Sequence, residues 1–153
     1  MVDVYSAVAA VPDPELVVLS IAELGILRDV EVDADDGAVI VTITPTYAGC
    51  PAMDAIRDDI RAAARAAGHE RVDVRTVLAP AWTTDWITGP GRAKLAAAGI
   101  APPPARSVLT ITYRCPHCGS PDTERLSAFG STACKALWRC RACAEPFDAV
   151  KAH

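Results

Sequence analysis

The sequence predicts an α+β protein in two parts: a small α-β-β-α-β-α domain with a three-stranded sheet, followed by a small β module organised around cysteines. Three observations support this. Two strand-like runs flank an acidic turn, an apolar stripe with helical spacing follows them, and the last third of the chain contains two Cys-x-x-Cys pairs. We expect the first domain at residues 1–100, a proline-rich linker at 101–106 and the cysteine module at 107–153, because consecutive prolines cannot continue a helix.

The first domain is predicted to begin with helical segments at residues 4–10 and around 16–23. Residues 26–32 alternate between apolar and polar side chains in their second half and are typical of a strand. The acidic segment 33–37 ends in glycine and is typical of a turn. The β-branched run 38–44 is then the second strand of a hairpin.

A longer helix is predicted from Pro51 to Gly68, since proline favours a helix start and glycine a helix end. Residues 71–78 alternate again and predict a third strand, and a last helix covers 92–98. A helix between two strands of one sheet favours their parallel pairing. The apolar stripe of the long helix consists of Met53, Ile56, Ile60 and Ala64.

The cysteine module is predicted to contain strands at 108–114, 123–129 and 136–139. Two of these strands lead directly into the two Cys-x-x-Cys turns. Because a module of about 50 residues buries little apolar surface, we expect metal binding to supply most of its folding free energy.

Four cysteines have the spacing of a closed tetrahedral metal site: Cys115-Pro-His-Cys118 and Cys140-Arg-Ala-Cys143, with 21 residues between the pairs. Four thiolates with no open position are typical of structural zinc, and iron is the alternative metal. Such an arrangement of strands and cysteine turns is a zinc ribbon. Two disulfides are disfavoured, because no secretory signal is evident. Cys134 is either a neutral core thiol or an alternate ligand that exchanges with one of the four.

Cys50 lies between a predicted strand and a predicted helix, where unpaired backbone N–H groups stabilise a thiolate. It is either a reactive or ligating thiol, with Thr44 and Thr46 orienting a bound group, or a small structural cysteine at a helix start. Asp13 and Glu15 flank a proline, and they are either iron ligands or a helix-capping segment.

The composition excludes several function classes. A net charge of −4 argues against nucleic-acid binding, because phosphate contacts need a basic surface. No apolar run is long enough to span a membrane, so we expect no membrane segment and a cytoplasmic location. A thiol-dependent enzyme is disfavoured, because Cys50 has no histidine or lysine partner that is evident from the sequence.

Four segments together closely resemble the SufT/PaaD-type iron–sulfur assembly domain: Asp13-Pro-Glu15, Glu23-Leu-Gly-Ile-Leu-Arg-Asp-Val30, Thr44-Pro-Thr-Tyr-Ala-Gly-Cys50-Pro51 and Ala79-Pro-Ala-Trp-Thr-Thr-Asp-Trp86. The tail resembles the PaaD branch of these proteins. Its matching segments are Cys115-Pro-His-Cys-Gly-Ser120, Phe129-Gly-Ser-Thr-Ala-Cys-Lys-Ala136 and Cys140-Arg-Ala-Cys-Ala-Glu-Pro-Phe147.

The resemblance implies an accessory or maturation factor for the multicomponent phenylacetyl-CoA epoxidase of aerobic phenylacetate degradation. Its partners would then be the diiron oxygenase, the flavin/[2Fe–2S] reductase or other cluster-assembly proteins, with structural zinc and a transient iron–sulfur cluster as bound groups. The resemblance implies that Cys50 binds a cluster or contacts a partner. Since one cysteine cannot hold a cluster, a homodimer mate, the client, or Asp13 and Glu15 would complete the site. The alternative is a non-catalytic adaptor that assembles the oxygenase complex through its zinc ribbon.

Overall fold

The computed structural model describes residues 2–47, 49–104 and 112–152. The chain forms two compact units, Met1–Thr88 and Gly89–His153. The helix that we expected to end the first domain belongs by its contacts to the second unit. The boundaries at 1–100, 101–106 and 107–153 stay predictions.

The first unit contains the expected three-stranded sheet, with strands β1 (Leu27–Val32), β2 (Val39–Ile43) and β3 (Val72–Thr76) in that order. β1 and β2 form the predicted antiparallel hairpin, and β3 pairs with β2 in parallel as predicted. The α+β fold class is therefore confirmed. Parallel pairing places the carboxyl ends of β2 and β3 at the same edge of the sheet, which positions the loop that follows β2.

The described residues of this unit form three α-helices: α1 (Val4–Ala9), α2 (Ile21–Leu24) and α3 (Ala52–Ala66). The expected helical turns around residues 16–23 shrink to the four-residue α2. Ser20 and Glu23 form a capping box that starts this helix at Ile21. The preceding segment closes on itself instead, through a bridge between Pro12 and Ser20.

Helix α3 presents its predicted apolar stripe to the core, and all four predicted side chains are buried. The helix ends where expected, because Gly68 has a φ of +97° that glycine tolerates at no steric cost. The largest fully buried apolar side chains of this unit come from the helices, from β2 and from the loops beside them: Val8, Leu19, Ile21, Leu24, Ile26, Val39, Val41, Ile43, Ile56 and Ile60.

The described part of the second unit contains α4 (Gly89–Ala97) and a four-stranded sheet of order β4-β7-β6-β5. The strands are β4 (Ile100–Ala101), β5 (Thr123–Ser127), β6 (Lys135–Cys140) and β7 (Pro146–Val150). β5 and β6 match two predicted strands. The strand predicted at 108–114 falls mainly outside the described residues, and its described end, 112–114, is not a strand.

Sequence reasoning missed β7, which pairs with both β6 and β4. Its starting proline and central aspartate hid an alternating pattern in which Phe147 and Ala149 are buried. These two residues join a small core with Ala101, Tyr113, Cys115 and Cys140. Two of the four cysteines of the Cys-x-x-Cys pairs, Cys115 and Cys140, are thus part of the hydrophobic core of the unit. No helix among the described residues is long and apolar enough to cross a membrane.

Candidate metal centre and cysteine loop

The structure brings the four predicted cysteines of the second unit together. All four Sγ atoms lie within 4.8 Å of one another. The distance from Cys115 Sγ to Cys143 Sγ is 3.7 Å, and that from Cys118 Sγ to Cys140 Sγ is 3.5 Å. A tetrahedral zinc with bonds of ~2.3 Å places its sulfur ligands about 3.8 Å apart. The donor set and its spacing therefore fit a four-coordinate thiolate-bound metal.

Each Cys-x-x-Cys pair forms a turn that aims backbone N–H groups at sulfur. The N–H of His117 donates to Cys115 Sγ (3.4 Å), and that of Cys143 donates to Cys140 Sγ (3.5 Å). The residue after each turn has a positive φ, +77° at Gly119 and +66° at Ala144. The two turns are thus equivalent, but the second has alanine where the backbone favours glycine.

The pKa values of two of the grouped thiols, Cys140 and Cys143, shift in opposite directions. The backbone N–H of Cys143, outweighing the effect of burial, lowers the pKa of Cys140 to about 7. The N–H of Glu145 lowers the pKa of Cys143, but burial and the three neighbouring sulfurs outweigh it and raise the value to about 12. One thiol is thus prepared as a thiolate, while further ionisation is opposed until a cation neutralises the charge.

Cys134 is not a member of this four-sulfur group. Its Sγ lies 3.1 Å from the hydroxyl Oγ1 of Thr132, and its carbonyl accepts a hydrogen bond from the N–H of Lys151. Its exchange with one of the four metal ligands stays a prediction.

The loop of the first unit that contains Cys50 connects the end of β2 to the start of α3. Cys50 is half-buried, its N–H donates to Tyr47 O, and its carbonyl accepts from the N–H of Met53 in the first turn of the helix. Gly49 has a φ of +79° and open space where a side chain would stand. This glycine therefore provides the turn that sets Cys50 at the start of α3, where the sequence placed it.

Thr44 lies at the base of the same loop and is 1% exposed. Its N–H donates to Ile26 O, but its side-chain Oγ1 is buried with no hydrogen-bond partner among the described residues. Buried hydroxyl groups are normally satisfied, so such an orphan indicates an unseen water, ion or ligand. The proposed role of Thr44 in orienting a bound group is consistent with this position.

An apolar edge adjoins the base of this loop. The N–H of Val77, directly after β3, donates to Ile43 O at the end of β2. The next residue, Leu78, is 64% exposed. Leu78 thus gives this edge of the sheet an exposed apolar side chain, of the kind that protein interfaces use.

Asp13 and Glu15 have different surroundings. Asp13 is 5% exposed, and its Oδ1 accepts hydrogen bonds from the N–H groups of Glu15 (2.9 Å) and Leu16 (2.7 Å). These bonds close a local turn, but no helix begins at this segment, because α2 starts only at Ile21. In residues 2–47, 49–104 and 112–152, only the four cysteines form a group of three or more ligand atoms close enough to share an ion. A cluster site shared by Cys50 with Asp13 or Glu15 stays a prediction.

The two neighbouring tryptophans of the first unit differ in burial. Trp82 is buried, and its Nε1 donates to Leu24 O at 2.9 Å. The guanidinium of Arg28 lies 3.9 Å from the ring centroid of Trp86. Trp82 is thus part of the core, whereas Trp86 is half-buried and contacts Arg28.

Two family models match this chain in succession. Residues 2–76 match an iron-sulfur cluster assembly protein model, and residues 101–151 match a PaaD zinc beta ribbon domain model. A protein of Escherichia coli (strain K12), named as one subunit of a "Putative 1,2-phenylacetyl-CoA epoxidase", is 45% identical over 97% of this chain and 91% of its own length. The chain belongs to the PaaD family. The resemblance inferred from the sequence is therefore confirmed.

Other relatives match a little more than half of this PaaD-family chain. An "Fe-S protein maturation auxiliary factor" of Bacillus subtilis (strain 168) is 37% identical over 54% of the chain and 80% of its own length. Among solved structures, a DUF59 domain of Bacillus anthracis has a TM-score of 0.54 at 28% identity, covering 60% of this chain and 87% of its own. A conserved hypothetical protein of Thermotoga maritima has a TM-score of 0.51 at 32% identity, covering 61% and 90%.

Proposed function

We propose that this PaaD-family chain is an accessory maturation factor for a multicomponent phenylacetyl-CoA epoxidase and that it assists iron–sulfur cluster or metal-centre assembly. The E. coli relative is named as a component of that enzyme, and shorter relatives are named as Fe–S protein maturation factors. The observation that carries the proposal is the Cys50 loop, where a half-buried thiol at the start of α3 is accompanied by the orphan hydroxyl of Thr44.

Cys50 would be one ligand of an iron–sulfur cluster that is cargo rather than a resident cofactor. A cluster normally needs four protein ligands, so the carboxylates of Asp13 and Glu15, or a second chain, would contribute the others. That chain is either another copy in a homodimer or a client such as the diiron oxygenase or the flavin/[2Fe–2S] reductase. The exposed side chain of Leu78 fits this role, because a contact surface is needed where the cargo is handed over.

The four-cysteine group would hold structural zinc. The sulfur spacing fits a closed tetrahedral site, and two of the ligands, Cys115 and Cys140, are buried in the small core of the second unit. Because that core is small, the metal would supply much of the folding free energy. Thiolate ligands have to stay reduced to hold the metal, which fits action in a reducing compartment such as the cytoplasm.

Metal and acid-labile sulfide content separate the two cysteine sites. We would compare anaerobically purified wild type, Cys50→Ser and the matched control Cys134→Ser. We expect about one zinc per chain in all three, with iron and sulfide in wild type and Cys134→Ser but not in Cys50→Ser. Iron-free wild-type protein that also fails to restore the cluster content of the reductase would refute the cluster role.

A non-catalytic adaptor is the second candidate, and the second unit favours it. Phe129 is 74% exposed there, a large apolar side chain available for a protein contact. In this case Cys50→Ser leaves epoxidase activity intact, whereas Cys140→Ser, which removes a buried metal ligand, abolishes it. Reconstitution of epoxidase activity with each variant distinguishes the two candidates.

A further inference from the structure

The second unit contains an open cavity of about 510 Å³ with an aromatic wall. Tyr113 and Trp138 form that wall, with ring centroids 4.8 Å apart. The Tyr113 hydroxyl donates to Val150 O at 2.6 Å, which fixes its ring in place. Ala128 and Ala136 also line the cavity, and their small side chains leave the space open. The volume is sufficient for one large apolar side chain.

Two cations, Arg125 and Lys151, line the same cavity. Arg125 lies opposite Trp138 in the register of β5 and β6, so both side chains belong to one face of the sheet. Arg125 is exposed and makes no ion pair or hydrogen bond within the described part of the chain. By contrast, Arg139 and Arg141 on the same unit both pair with Glu124. The cavity therefore has a guanidinium whose charge nothing in the described structure neutralises.

An exposed phenyl ring extends this surface. Phe129 follows the lining residue Ala128, and Lys151 Nζ lies 4.7 Å from the centroid of its ring. Phe129 is 74% exposed, and Leu126 is 49% exposed. Together, Tyr113, Trp138, Phe129, Arg125 and Lys151 form a surface that we call the aromatic–cationic face.

The charge of the two units is strongly unequal. Residues 89–153 contain nine Lys and Arg but four Asp and Glu, whereas residues 1–88 contain six and fifteen. The acidic composition of the whole chain therefore conceals a basic second unit. Such a unit favours association with an acidic surface.

We propose that the aromatic–cationic face binds an acidic peptide segment of a partner protein. An apolar side chain of the segment enters the cavity against Trp138, and carboxylates beside it pair with Arg125 and Lys151. Nucleic acid is disfavoured, because a backbone of phosphates needs a track of cations rather than two beside a side-chain-sized cavity. The binding is independent of Cys50, and it therefore goes beyond the proposed maturation role.

Nuclear magnetic resonance of the zinc-loaded full chain tests this proposal. The buried Nε1–H of Trp138 has no acceptor among the described residues, so its resonance is a sensitive local reporter. The probe is the capped peptide Glu-Asp-Phe-Glu-Asp. The control is the capped peptide Glu-Asp-Gly-Glu-Asp, which lacks the apolar side chain. We expect a saturable shift of the Trp138 signal with the first peptide and much weaker binding of the second.

Three variants separate charge from cavity. Combined Arg125→Glu and Lys151→Glu should weaken binding by about tenfold or more, because attraction becomes repulsion. Ala128→Phe should weaken it by filling the cavity with both cations retained. Arg65→Glu makes one of the same charge changes in the first unit and should leave binding unchanged. Unchanged zinc content and thermal unfolding would show that each variant is folded.

Four results would overturn the proposal. The first is no saturable shift at millimolar peptide, and the second is equal binding by wild type and the double charge reversal. The third is tighter binding of a single-stranded oligothymidylate than of the peptide, which would assign the face to nucleic acid. The fourth is concentration-dependent self-association in sedimentation that Arg125→Glu abolishes, because the occupant would then be a second copy of this chain.

Discussion

The difference between the two cysteine turns predicts opposite effects of exchanging glycine and alanine. Gly119 and Ala144 follow equivalent turns with φ values of +77° and +66°. An L-residue in this region costs roughly 1–2 kcal/mol. Glycine removes that strain, but it also raises the backbone entropy of the unfolded chain, which lowers the free energy of unfolding by roughly 0.4–1 kcal/mol. A Cβ at Gly119 would meet nothing within 4 Å, so backbone strain alone decides the cost there.

We therefore expect Gly119→Ala to destabilise the second unit by about 1 kcal/mol and Ala144→Gly to stabilise it by up to about 1 kcal/mol. Since metal binding and folding are coupled, 1 kcal/mol corresponds to about a fivefold change in apparent zinc affinity. Ala142→Gly is the matched control, because Ala142 lies in the same turn with no positive φ. It adds only unfolded-state entropy and should weaken zinc binding slightly.

The assay is competition for zinc with a chromophoric chelator, together with thermal unfolding of each zinc-loaded variant. The exchange of both residues, Gly119→Ala with Ala144→Gly, should return the affinity close to that of wild type. Tighter zinc binding by Gly119→Ala, or weaker binding by Ala144→Gly than by Ala142→Gly, would refute the reasoning.

Three further predictions concern single side chains. Gly25→Ala should destabilise the first unit by more than about 2 kcal/mol in urea unfolding, because its Cβ would lie 2.6 Å from Trp86 Cβ at a φ of +83°. Burial raises the pKa of Tyr113 despite a backbone hydrogen bond that lowers it. The neutral phenol is favoured in the fold, so its stability contribution is complete below the unfolded pKa and is lost as pH rises through the folded pKa. The free energy of unfolding should therefore fall less steeply above pH ~10 in Tyr113→Phe than in wild type. Thr44→Val should stabilise the iron-free protein by about 1 kcal/mol in thermal unfolding. It should also lower the iron content of the anaerobically purified protein. A destabilised Thr44→Val would show that the hydroxyl is satisfied.

The fold of the first unit was predictable because its elements have local signals. The β-branched run predicted β2, and the apolar stripe of α3 predicted the buried face of that helix. The helix between β2 and β3 predicted that these two strands pair in parallel. The helix expected around 16–23 was shortened by tertiary contacts, since the bridge between Pro12 and Ser20 is not a local pattern. β7 was missed because a proline and an aspartate interrupt its apolar pattern.

The metal site was predictable for a related reason. Each Cys-x-x-Cys pair is a short local motif, and the strands between the pairs only have to bring them together. The orphan hydroxyl of Thr44 could not be inferred, because it depends on burial by neighbouring elements. The aromatic–cationic face depends on strand register. An irregularity between Arg125 and Ser127 sets which β5 side chains share a face with Trp138, and no sequence pattern marks it.

The two proposals rest on different compact units and can fail separately. Cys50→Ser should remove iron and sulfide but leave peptide binding unchanged, since Cys50 is no part of the aromatic–cationic face. Reversal of Arg125 and Lys151 should do the opposite. Loss of epoxidase activity only in the double charge reversal would make peptide recognition the essential activity and favour the adaptor. Loss in both would place recognition and cargo handling in one process, because a maturation factor has to hold its client while it delivers the cluster.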